Sequence, residues 1–94
     1  MKRELVMEIN DAFFIIGKGV AVTGKIQNEG IFVGQKVIID LEYLPEIETE
    51  IKGIELHRLG SVKNAIINEN VAIIFTDIEE RKVSALRHKK IYLL

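Results

Sequence analysis

The chain has no cysteine, no tryptophan and a single proline, Pro45. Without cysteine there is neither a disulfide framework nor a thiolate metal site. No window approaches the roughly 18 uninterrupted apolar residues of a membrane helix. The opening Met1-Lys2-Arg3-Glu4 leads into a mixed stretch in which no signal peptide is read. The expectation is a cytoplasmic protein with no membrane partner. Charge of one sign is also missing: 13 Lys and Arg face 14 Asp and Glu, for a net charge of −1. A nucleic-acid binder that uses its whole surface would be strongly basic, so only local basic patches remain open. Six aromatics (Phe13, Phe14, Phe32, Tyr43, Phe75, Tyr92) are few for stacking bases. No G-x-x-x-x-G-K-[ST] loop is present, which excludes nucleotide hydrolysis by a phosphate loop.

What is present is a chain of 94 residues, 48% apolar, enough for one core and one domain over 1–94. Its dominant period is two. Val20, Val22 and Ile26 share one phase, and Ala21, Thr23 and Lys25 share the other. Val37, Ile39 and Leu41, then Val71, Ile73 and Phe75, repeat the pattern, as half-buried antiparallel strands do. Residues 17–34, GKGVAVTGKIQNEGIFVG, set five glycines among these alternating positions, describing a small sheet forced to curl. Gln27-Asn28-Glu29-Gly30 reads as a hairpin turn with Gly30 at positive φ. The apolar phase shifts between Ile51 and Ile54, and a bulge at Gly53 accounts for it. Residues 42–46 and 60–70 read as longer connections, 78–86 as a helical turn, and 91–94 as a closing strand. Short strands without a substantial helix predict an all-β fold, a small closed barrel without exposed edges.

Several blocks carry a resemblance. Residues 11–25, with Asp11-Ala12-Phe13-Phe14-Ile15-Ile16-Gly17-Lys18-Gly19 and Thr23-Gly24-Lys25, come first. Gly30-Ile31 with Val33-Gly34, then Gly53-Ile54-Glu55-Leu56-His57-Arg58, then Ala65 with Glu69-Asn70-Val71, and finally Ile78 with Arg81, follow in order. Together they resemble the second domain of elongation factor Tu and other translational GTPases, from about Asn10 to Leu94. The resemblance implies a closed Greek-key β-barrel of about six strands, as a stand-alone copy without a G domain. It also implies that Phe13, Ile15, Gly17 and Thr23 lie along the pocket for the aminoacylated end of tRNA. Glu55 would be near the terminal adenine and ribose, and Arg58 near phosphate with Asn70 close by. Asn10, Asn68, Phe75-Thr76-Asp77 and Arg87-His88-Lys89-Lys90 depart from the family's pattern.

Two readings of these residues stay open. Glu55, His57 and Arg58 are either a ligand-facing trio or the solvated face of a strand. Arg81, Lys82, Arg87, Lys89 and Lys90 either meet RNA phosphates or keep a charged closing strand from pairing with other chains. His57 and His88 have no ligand partners at metal-binding spacing. Glu42, Glu46, Glu48 and Glu50 read as the wet side of a strand and its loop. The chain is therefore expected to be a non-enzymatic binding module with no cofactor and no metal, its partner an RNA or a ribonucleoprotein. The alternative is a protein-interaction adaptor or a homo-oligomer, suggested by Ile16, Ile38 and Ile74 on the outer phase of their strands.

Overall fold

The computed structural model describes residues 3–57 and 59–94. Among the described residues, eleven short strands and one brief helical segment make the fold all-β, 53% strand against 8% helix. They run β1 (Leu5–Glu8), β2 (Asp11–Ile15), β3 (Gly19–Lys25), β4 (Gly30–Phe32), β5 (Lys36–Asp40), β6 (Ile47–Glu50), β7 (Gly53–Leu56), β8 (Gly60–Val62), β9 (Asn64–Ile66) and β10 (Asn70–Phe75). A 3₁₀ turn at Glu80–Lys82 leads into helix α1 (Val83–Leu86), and β11 (Lys90–Leu93) closes the chain.

Three antiparallel sheets form, ordered β1-β11-β5-β6, β2-β3-β10-β7-β8, and β4-β9. Among the described residues none of them closes on itself, so hydrogen bonding does not establish the expected closed barrel. The sheets instead surround one core. Val20, Val22, Val37, Ile39, Ile73, Phe75 and Ile91 are all fully buried. These are the inward positions of the alternating runs, and burying each stabilises the fold by about 1.5–3 kcal/mol.

Several local expectations are corrected. Gly30 has no positive φ; that conformation belongs to Gly17, Gly19, Gly34 and Gly60. Gly30 is needed for close approach, since a Cβ there would stand 3.0 Å from the Ala65 carbonyl oxygen. Residues 27–30 join β3 to β4, yet β4 pairs with β9 and not with β3. The connection at 60–70 itself contains β8 and β9. The phase shift near Gly53 is the chain crossing between sheets. The Ile51 amide donates to Gln35 O at 2.9 Å, and the next amide, Lys52, donates to Ile74 O at 2.9 Å. Of the outer-phase isoleucines only Ile16 is exposed, while Ile38 and Ile74 are buried. Ile74 lies beside Gly53, whose missing side chain gives it room to lie flat on the sheet. The expected helical turn within 78–86 is present. The closing strand is not an edge, because β11 lies between β1 and β5.

Candidate nucleic-acid interface

The ladder of the five-stranded sheet sets its outward residues in register. Asp11 pairs with Thr23, Thr23 with Ala72, Ala72 with Glu55, and Glu55 with Ser61. The adjoining row runs Phe13, Ala21, Ile74, Gly53. Ala21 and Ala72, with Ile74 beside Gly53, therefore make the middle of this face low and apolar, and polar groups stand along one side. With strands about 4.8 Å apart, Asp11 and Glu55 are separated by roughly 14 Å.

An open cleft of about 440 Å³ lies on this side, lined by Thr23, Glu55, Asn70, His57, Asn10 and Gly60 among others. Three of the residues singled out by resemblance (Thr23, Glu55, Asn70) thus come together. Phe13 does not join them; it lines a second cleft of about 410 Å³ at the β2 edge, with Phe14, Arg81, Ser84 and Arg87. Ile15 and Gly17 line neither: Ile15 ends β2, and Gly17 occupies the turn beyond it with φ 85°. Arg58 lies outside the described residues. Asn10, a departure from the family's pattern, and His57, read with Glu55 and Arg58 as an open ligand-facing trio, also line this cleft. Gly60 lines it too, and no feature of the sequence pointed to it.

Most charges on this face come in pairs; Lys25, on the outward phase of β3 opposite Asn70, has no carboxylate within 4.0 Å among the described residues. Lys18 Nζ donates to Glu55 Oε2 at 2.8 Å. Arg87 Nε donates to Asp11 Oδ1 at 2.7 Å. Arg81 is bound by Glu79 through two hydrogen bonds of 2.8 and 3.1 Å. The hydrogen bond to Arg81 and its positive charge hold the Glu79 carboxyl below the usual glutamate range. Lys82, Lys89 and Lys90 have no carboxylate within 4.0 Å among the described residues. The basic cluster is thus split: Arg81 and Arg87 are engaged beside β2, and Lys89 and Lys90 enter β11. Glu46 pairs with Arg3 and Glu50 with Lys52, as surface glutamates do. His88 is exposed, in the turn before β11 at φ 67°. Among the described residues no group of three potential metal ligands is found.

No protein-family model matches the chain. Among solved structures, a bacterial selenocysteine-specific elongation factor, EF-Sec, superposes with a TM-score of 0.75 at 21% sequence identity. The match covers 97% of this chain and 14% of that one. The chain therefore has the fold of a domain of a translation elongation factor, and at this identity the likeness is one of fold.

Proposed function

We propose that this chain is a non-enzymatic binding module of the translation apparatus, taking the single-stranded end of an RNA, free or within a ribonucleoprotein, on the outer face of its five-stranded sheet. The observation that carries this reading is the row Thr23–Ala72–Glu55 with Asn70 and His57 at its side. A flat base needs a low apolar floor, which Ala72 supplies. A ribose needs acceptors for its hydroxyls, and the Glu55 carboxylate is the strongest available. The fold shared with an elongation factor supports a translation setting. Because Lys18, Arg81 and Arg87 are already paired, and Lys25 opposite Asn70 is the outward cation without a carboxylate within 4.0 Å among the described residues, electrostatic attraction is modest, and micromolar affinity is expected.

Fluorescence titration of the chain with labelled tRNA and short single-stranded RNA tests this. Binding at tens of micromolar protein in low salt, weakened by Glu55→Gln, is the expected result. No binding under those conditions overturns the reading.

One observation favours the adaptor alternative. Phe32 is 53% and Ile66 62% exposed, with Val33 and Ile67 also uncovered. Phe32 and Ile66 lie on the two-stranded β4–β9 ribbon, Val33 and Ile67 immediately beyond it. Apolar side chains grouped on one ribbon mark a contact surface for another protein or a second copy. Sedimentation velocity distinguishes these: a concentration-dependent dimer supports self-association, and a monomer at all concentrations removes it.

A further inference from the structure

We infer that the cleft along the β2 edge is a second nucleotide subsite, holding a base and phosphate further along the same RNA strand than the nucleotide in the first cleft; this rests on the RNA-end reading above.

Successive side chains of a strand point to opposite faces, so Phe13 and Phe14 would ordinarily never share a site. They do so here because β2 is the outermost strand of its sheet and helix α1 packs beyond it. Both rings reach the gap between strand and helix, 42% and 39% exposed. Two aromatic rings left half open, with arginines on the opposite wall, suit a flat anionic ligand. Bases stack on the rings while guanidinium holds phosphate.

The two arginines are not equivalent. Arg81 spends Nε and one Nη on Glu79. Arg87 uses only Nε, on Asp11, and among the described residues its Nη atoms make no hydrogen bond. Arg87 is therefore the phosphate contact. Its place is telling, since Asn10 lines the first cleft, Ala12 lines the second, and the Arg87–Asp11 pair stands between them. The near edges of the two clefts are two strand residues, about 7 Å, apart, while Glu55 lies roughly 14 Å across the sheet from Asp11, so a short single strand of RNA laid across the sheet reaches both. Glu80 also lines the second cleft. It sets a limit on how negative a ligand can be, favouring one phosphate over a cluster.

The test is fluorescence anisotropy with labelled single-stranded RNAs of one and four nucleotides. Phe14→Leu keeps an apolar side chain at the cleft and removes the flat ring. It is expected to weaken the four-nucleotide RNA by about fivefold or more and to leave the one-nucleotide ligand unchanged. Glu55→Gln is expected to weaken both. Arg87→Gln is expected to lower the slope of log affinity against log salt by about 0.7, one single-strand phosphate. If Glu55→Gln weakens binding while Phe14→Leu and Arg87→Gln leave affinity and slope unchanged, the second subsite is overturned and the first stands. An unchanged RNA affinity with loss of a bound apolar peptide would assign the cleft to protein instead. If the wild-type chain binds neither RNA, both fall together.

Discussion

Lys18, in the turn before β3, reaches over the outer face of the sheet to Glu55 on β7, two strands away, and holds its carboxylate at 2.8 Å. The pair spans the apolar middle of the proposed RNA face and neutralises its strongest acceptor. Both side chains keep substantial exposure, so the pair contributes little to stability. Lys18→Met should change the free energy of unfolding by less than about 1 kcal/mol in a denaturant titration. It also leaves Glu55 as an uncompensated negative charge. RNA affinity should fall at low salt and converge with wild type near molar salt, where the screening length is about 3 Å.

The glycines of the 17–24 segment are predicted to rank by what surrounds them. Gly19 combines φ 117° with a position where a Cβ would collide with the Phe75 carbonyl oxygen. At Gly24 a Cβ would stand 2.6 Å from Glu8 O and 3.1 Å from Met7 Sδ. Gly17 has φ 85° but open space around it. Gly17→Ala should cost on the order of 1 kcal/mol, backbone strain alone. Gly24→Ala should cost about 1–3 kcal/mol, because backbone must move. Gly19→Ala, with both penalties, should cost the most. Thermal melts of the three variants check the order, and an equal loss at Gly17 and Gly19 would contradict it.

Phe75 is the largest fully buried side chain, at the end of β10 opposite Val20. Phe75→Ala should cost about 3–5 kcal/mol, a large share of the roughly 5–15 kcal/mol typical of a domain. Tyr43, 93% exposed, provides the contrast. Tyr43→Ala should stay within about 0.5 kcal/mol of wild type. Urea denaturation of both variants is the measurement.

Acid should act on the Glu79–Arg81 pair with a definite sign. The Glu79 carboxyl titrates below its ordinary range in the folded chain, chiefly through its hydrogen bond to Arg81. A depressed carboxyl contributes stability above its unfolded value and loses it as pH falls through the folded one. Arg81→Gln should return the Glu79 titration, followed by NMR, to the ordinary glutamate range. An unchanged midpoint would place the cause elsewhere.

The strand phases were legible because alternation responds directly to burial: Val20, Val22, Ile73 and Phe75 face inward as their spacing requires. Pairing partners were not. Nothing in Ile31 or Ala65 announces that β4 and β9 meet 34 residues apart in sequence. Ile38 and Ile74 read as exposed since their burial depends on cross-strand neighbours such as Tyr92 and Gly53, which the sequence does not place beside them. At the site, Thr23, Glu55 and Asn70, which the resemblance groups, line one cleft. Phe13 lines a different cleft, and the sequence gives no sign of this, because what packs beyond an edge strand is set by the tertiary fold.

The crossing at Ile51 and Lys52 gives the molecule a seam with two readers on it. Consecutive amides are locked by different sheets, one through Gln35 and the other through Ile74. If the sheets open as independent units, these neighbours exchange hydrogen at different rates; if the domain unfolds only as a whole, they exchange together. One peptide bond therefore measures whether the surface that carries the clefts can loosen while the rest of the molecule stays shut.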